Sequence, residues 1–189
     1  REGSRGLSSS TRGVFIGGSS TNVIEFVTIA SQGNTIDYGD ASANSEGYGN
    51  HAYSNSVRGV YSLGAVPSSS NVIEFFDIEA GGTAADFGDL TQARQQVAGA
   101  SEANGGLNDG YQGTRFLNVV AGAGRGLFAG AFAPANIGSI EFVKISTLGN
   151  ANDFGDLSVA RGRGGVTTTN IRSHLAGGTS PDNGGNIID

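Results

Sequence analysis

Cysteine, methionine and tryptophan are absent from these 189 residues, and there are only 3 prolines and a single lysine, Lys144. Without cysteine there is no disulfide, no thiolate metal site and no cysteine nucleophile. The lone lysine and ten scattered arginines face 17 acidic residues, for a net charge of -6. That leaves no basic patch for nucleic acid and none for an anionic membrane surface. No apolar run is long enough to span a bilayer, and no signal-peptide pattern is visible. The chain is expected to bind no nucleic acid and to insert in no membrane. The missing methionine and the start at Arg1 fit a piece cut from a longer array, whose last phrase breaks off at Asp189.

What is abundant is glycine, 33 residues of it. With few prolines and no three-residue period, this composition suits tight turns between short strands and does not suit collagen. Three phrases recur in fixed order. The first copy runs Arg12-Gly13-Val14-Phe15, then Asn22-Val23-Ile24-Glu25-Phe26, then Asp37-Tyr38-Gly39-Asp40. The second has Arg58-Gly59-Val60-Tyr61, Asn71-Val72-Ile73-Glu74-Phe75 and Asp86-Phe87-Gly88-Asp89. The third has Arg125-Gly126-Leu127-Phe128, Ile140-Glu141-Phe142 and Asp153-Phe154-Gly155-Asp156. A fourth opens at Arg172 and reaches Asn186-Ile187-Ile188-Asp189. The isoleucines Ile24, Ile73, Ile140 and Ile188 are spaced by 49, 67 and 48 residues, which gives a period near 48 with one insertion in the third unit. A period of that length matches one propeller blade and exceeds an ankyrin or leucine-rich repeat. The units are 1–40, 41–94, 95–161 with the loop insertion, and a truncated 162–189, forming a single repeat domain.

No phrase has helical spacing. Val14-Phe15-Ile16, bounded by glycines, predicts a short buried strand. Residues 22 to 30 predict the strongest strand. Both of its faces are largely apolar, so it belongs in a sheet covered on both sides. Gly6-Leu7-Ser8-Ser9-Ser10 predicts a weak first strand, and Thr35 to Asp40 a short outer strand anchored by Tyr38. The Asp-aromatic-Gly-Asp phrase itself is read as a turn with a buried aromatic. The insertion lies within residues 95 to 124. Gly105 to Gly113 is expected to be an exposed loop, and Phe116 to Val120 an extra strand. The fold class expected is all-β, a β-propeller of four-stranded blades.

The order of phrases resembles the kelch family of propeller repeats. The glycine pair Gly17-Gly18, the step Glu25-Phe26, the outer-strand aromatic Tyr38 and the arginines Arg94 and Arg161 carry the likeness. The usual tryptophan is replaced by Tyr38, Phe87 or Phe154. A closer resemblance is to tandem-repeat proteins of marine bacteriophages, through Ser9 to Gly18, Asn22 to Ser31 and Asp86 to Arg94. It covers nearly the whole chain apart from the insertion. It implies a non-enzymatic virion or tail-fibre-like protein, located on the virion or outside the cell. Its partners would be other fibre subunits, in a homo-oligomer, and a host surface glycan or protein met by propeller loops.

Signals for chemistry are few. Asp86-Phe87-Gly88 and Asp153-Phe154-Gly155 carry the letters of the kinase magnesium motif. A kinase uses that motif once and needs a lysine on an early strand. A weaker alternative is Ca2+ at the paired aspartates, but two acids three residues apart supply too few oxygens. Otherwise no cofactor is expected. Gly122-Ala123-Gly124-Arg125-Gly126 lacks the helix that a dinucleotide loop requires. His51 and His174 form no ligand triplet.

Glu25, Glu74 and Glu141 recur at one position, which argues for a structural contact. The arginines Arg12, Arg58, Arg125 and Arg172 are the expected partners, in a Glu–Arg or Asp–Arg contact within or between blades. No catalytic or metal-binding residue is assigned. The ligand-binding candidates are Asn108, Asp109, Tyr111 and Gln112, whose ring and amides suit a sugar. Two further readings are a purely structural module for filament or subunit assembly, and a glycosidase on the same scaffold. The second would need convergent carboxylates, for which Glu102 and Asp109 are the candidates.

Overall fold

The computed structural model describes residues 3–18, 20–44, 52–55, 57–65, 68–101, 124–168, 172–179 and 186–189. The fold is all-β, with no helix among the described residues. The first sheet consists of β1 (Arg5–Ser8), β2 (Arg12–Gly18), β3 (Thr21–Thr28) and β4 (Ile36–Asp40). The second holds β5 (Ala52–Ser54), β6 (Arg58–Ser62), β7 (Ser70–Asp77) and β8 (Ala85–Arg94). The third holds β9 (Ala98–Ser101), β10 (Arg125–Phe132), β11 (Asn136–Lys144) and β12 (Asn152–Asp156). Each of these three is an antiparallel meander with its strands in sequence order. A two-stranded sheet follows, β13 (Gly165–Thr168) with β14 (Ser173–Ala176), and Ala176 bridges to Ile188. The insertion falls between β9 and β10. The candidates Asn108, Asp109, Tyr111 and Gln112, together with Glu102, His51 and the strand expected at 116–120, lie outside the described residues.

The apolar faces meet between sheets rather than within one. Val14, Ile16 and Ile24 of the first sheet pack with Tyr61, Leu63, Phe76 and Ile78 of the second. Val60, Ile73, Phe87 and Leu90 of the second pack with Phe128, Val143 and Ile145 of the third. A smaller cluster joins Ala98 and Leu157 to Leu175. Each side chain of this size gives about 1.5–3 kcal/mol on full burial, so the seams between units hold the driving force for folding. Both faces of β7 are covered because sister sheets flank it, as its run of apolar residues requires.

The glycines after Arg58 and Arg125 are explained by these seams. A Cβ at Gly59 would stand 2.7 Å from Leu7, and one at Gly126 would stand 2.0 Å from the Tyr53 ring. Leu7 and Tyr53 occupy the same place on the first strand of their units, opposite Val14 and Val60. The glycine of one unit is thus the slot for the inner-strand side chain of the unit before it.

The Asp-aromatic-Gly-Asp phrase forms the outer strand expected over Thr35 to Asp40, not the turn also read there. It is the outer strand of each sheet, and it carries a β-bulge. Ile24 pairs with Gly39 while Glu25 pairs with Asp37, which leaves Tyr38 as the extra residue. The same shift occurs at Ile73/Glu74 and Ile140/Glu141. Two aspartates around a glycine suggest a turn locally, but ladder pairing to the preceding strand overrides that preference.

Candidate functional site

Three kinds of contact recur at the seams, and each includes links from one unit to the next. The first centres on the repeated acid. Glu74 accepts from the Ser42 amide at 3.3 Å, Glu141 from the Thr91 amide at 2.9 Å, and Asp189 from the Ser158 amide at 3.3 Å. Asp189 stands in the phrase Asn-Ile-Ile-Asp where the earlier units have glutamate. Each donor lies two residues after the closing aspartate of the preceding unit. Glu141 also accepts from the Thr91 hydroxyl and forms an ion pair with Arg94. Asp189 pairs with Arg161 at 2.6 Å. Arg94 and Arg161 are fully buried, and Glu74 and Glu141 are nearly so.

At the first seam no arginine stands in the place of Arg94. Arg5 enters instead from β1, with its guanidinium 5.6 Å from the centre of the Tyr61 ring and donating to Leu63 O at 2.8 Å. Tyr61 in turn donates to the Glu74 carboxylate. Burial brings both Arg5 and Arg94 down to about 10, partly offset for Arg5 by Tyr61 and Glu74. Burial works against the Asp189 carboxylate, but bonds from Ser158 and the charge of Arg161 outweigh it and hold it below its ordinary value.

Arg12, Arg58 and Arg125, expected as the acids' partners, lie instead on aromatic rings. Arg12 lies 4.5 Å over the Phe26 ring, Arg58 4.9 Å over Phe75 and Arg125 4.9 Å over Phe142. The first two also reach forward one unit: Arg12 donates to Ile78 O at 2.8 Å, and Arg58 to Ile145 O at 3.1 Å. This is the second seam contact, a cation on its own ring and on the next unit's carbonyl.

The third is a chain of hydroxyls along the first strands. The Ser54 hydroxyl donates to Ser8 O at 2.8 Å, Ser101 to Ser54 O at 3.0 Å, and Thr168 to Ser101 O at 2.8 Å. It ties β1, β5, β9 and β13 side by side in chain order. Together these strands line a cavity of about 630 Å3, bordered by Gly6, Ser8, Ala52, Gly99, Ser101 and Thr168 among others. Its wall mixes glycine and hydroxyl-bearing residues with the apolar Leu7, Val14, Phe15 and Val166, and Tyr53 is the one ionisable group among the described residues that border it.

The repeated acids are occupied by amides and guanidinium groups. Among the described residues no three of His, Asp and Glu come together to hold a metal ion. Asp37 and Asp40, the first of the paired aspartates considered for Ca2+, lie on a bulged strand, where Asp37 caps the Gly39 amide at 3.2 Å. Sequence reasoning missed Ser42, Thr91 and Ser158 and the hydroxyl chain. Their signal was present, since Ser8, Ser54, Ser101 and Thr168 each sit opposite the residue that follows a strand-opening arginine. No protein-family model matches the chain, and no curated protein matches it either.

Two tyrosines at these seams give opposite expectations. Tyr53 is buried and its hydroxyl has no hydrogen-bond partner among the described residues, whereas Tyr61 donates to a carboxylate. Tyr53→Phe should leave stability at pH 7 unchanged or raise it by up to about 1 kcal/mol, while Tyr61→Phe should cost about 1.5–3 kcal/mol. Burial pushes Tyr53 well above its ordinary value, and burial with the Glu74 charge does the same to Tyr61. Above pH 10 the unfolded chain loses phenolic protons that the folded chain keeps, so this share of stability is full below pH 10 and falls as pH rises. The lowered arginines act in the opposite direction above about pH 10. Urea titrations at pH 9 and 11 should therefore show a shallower alkaline loss for Tyr53→Phe than for the parent chain, because only the tyrosine share differs.

Proposed function

We propose that the sheets are successive blades of a kelch-like β-propeller array, and that the chain is a non-enzymatic bacteriophage virion or tail-fibre component. One observation carries the architectural half. The first strands of all four sheets stand side by side in chain order around one cavity, with each unit latched forward to the next. A propeller places its innermost strands in that way. The virion half draws on the likeness of the repeated phrases to tandem repeats of marine phages. The acids and arginines that recur are committed to seams, so recognition falls to what does not recur. That is the insertion between β9 and β10, with Asn108, Asp109, Tyr111 and Gln112, facing a host surface glycan or protein.

Purified chain on a glycan array, and against host outer-surface extracts, should show binding that is lost when residues 105 to 113 are deleted. The deletion should leave the melting temperature within a few degrees, since long loops close at small entropic cost. A chain that binds no glycan or host protein but polymerises would favour the second reading, a module for filament or subunit assembly. The forward latches are the observation on that reading's side.

A further inference from the structure

Three of the turns that lead into first strands share one backbone device. Each places a residue with positive φ two positions before the strand: Gly3 at 71° before β1, Gln96 at 60° before β9 and Arg163 at 61° before β13. Glycine takes this conformation freely, and a residue with a Cβ takes it at a cost. The first unit uses glycine. The later two keep a glutamine and an arginine where glycine would fold more easily, and strain kept at such a place is a mark of use.

These two residues belong to one patch. Arg163 N donates to Gln96 O at 3.2 Å, so the two turns touch. Gln95 and Phe132 exchange main-chain bonds of 3.0 and 2.8 Å, and a Cβ at Gly162 would stand 3.3 Å from Ala131. The β10–β11 hairpin thus lies against both turns. Phe132 on that hairpin is exposed, and so is Arg163.

Arg163 also stands apart from the other described arginines. Each of those holds a carbonyl, a carboxylate or a ring, or is engaged in another way. The Arg163 guanidinium makes no hydrogen bond, ion pair or ring contact among the described residues. A further unit after the fourth would not supply one by the route seen at the preceding turn. Gln96 has its following turn in place, meets it through the main-chain carbonyl, and stays part-exposed.

We propose that Phe132, Gln96 and Arg163 form a binding site for an acidic sugar, a pyranose ring carrying one carboxylate or sulfate. The Phe132 ring offers an apolar face to the C–H side of the pyranose. The Gln96 amide suits its hydroxyls, and the guanidinium fork takes the oxyanion. A single guanidinium in a chain of net charge -6 suits one negative group and not a polyanion. The site stands at the opposite end of β9 from the insertion, and it does not depend on what the loop 105 to 113 binds.

Titration of the whole chain, read by ligand NMR, tests this with a disaccharide bearing one glucuronate, its methyl ester, the matching disaccharide with a sulfate, and the neutral disaccharide. The glucuronate or the sulfate should bind, and the one that binds more tightly names the acid. The methyl ester and the neutral sugar should bind more weakly by about tenfold or more, as loss of a charge pair at a binding surface requires. Arg163→Gly should cause the same loss and leave the melting temperature within a few degrees, because glycine takes the φ of that turn. Deleting residues 105 to 113 should leave the affinity unchanged. The proposal is overturned if neither acidic disaccharide binds at millimolar concentration, if the neutral sugar binds as well as the acidic one, or if Arg163→Gly binds like the parent chain. Loss of binding in the loop deletion alone would also overturn it, and would place the sugar on the insertion.

Discussion

Arg94→Ala should lower the unfolding free energy by about 3–5 kcal/mol, a large share of the 5–15 kcal/mol that a domain of this kind typically has. Arg94 is fully buried, and its partner Glu141 is 1% exposed. Removing the guanidinium leaves a carboxylate in the seam with only the Thr91 amide at 2.9 Å and the Thr91 hydroxyl to hold it. The cost arises from the stranded charge rather than from the worth of the pair. Arg94→Met combined with Glu141→Leu should therefore recover most of the loss, since apolar groups of similar volume commonly replace a buried pair at little cost. Arg12→Ala breaks a pair of the opposite kind. Its contact with Glu79 is 3.5 Å long and partly exposed, and such a pair contributes about 0–1 kcal/mol; Arg12→Ala also removes the Phe26 contact and the bond to Ile78 O, so its cost should exceed that of the pair alone and stay below that of Arg94→Ala. Urea denaturation of the three variants at pH 7 orders these effects. An Arg94→Ala chain within 1 kcal/mol of the parent would show that the buried pair does not hold the second seam.

The strands and their meander order were legible because the period is written into the chain three times over. Asn-Val-Ile-Glu-Phe is apolar on both sides, and only a sheet flanked by sheets satisfies that. The pairing of the repeated acids was not legible. Glu25, Glu74 and Glu141 recur in step with Arg12, Arg58 and Arg125, so the two sets look like partners. A Glu–Arg contact between units does occur, but with a different arginine: Arg94 of one unit meets Glu141 of the next, and Arg12 and Arg58 are held by aromatic rings of their own sheets. Recurrence in sequence gives a residue's place within its unit. It does not give the rotation that brings one unit against another. Arg5 shows the limit most clearly, since it fills a role that Arg94 and Arg161 fill from a different strand position. The Asp-Phe-Gly-Asp phrase misled for the opposite reason. Its local turn chemistry is real, but it is used for a bulge within a ladder. The candidate loop residues lie outside the described parts, so their reading still rests on composition.

Gly88→Ala and Gly155→Ala form an experiment the repeat has already designed. Both glycines have φ 146°, a conformation L side chains rarely adopt, so the backbone cost of adding a Cβ is common to the two. The surroundings differ. At Gly88 the new carbon would stand 2.5 Å from Gly149 O and 2.6 Å from Gly149 C, whereas at Gly155 it would meet nothing within 4 Å. Strain alone predicts about 1–3 kcal/mol for Gly155→Ala. Gly88→Ala adds a clash with backbone that cannot turn aside, and must either break the bonds Gly149 N–Phe87 O and Ala151 N–Asp89 O or push the third sheet away. Its total should exceed about 4 kcal/mol, in the range that single changes seldom reach. The difference between the two variants isolates the seam, because everything within the unit is held equal. It also bears on how the array folds. If units were stable singly, Gly88→Ala would detach the second from the third and leave two melting transitions. The cores lie between the sheets, with Phe87 and Leu90 sharing one cluster with Phe128 and Val143. A single transition at lower temperature is therefore expected, since a displaced neighbour takes half of each unit's core with it.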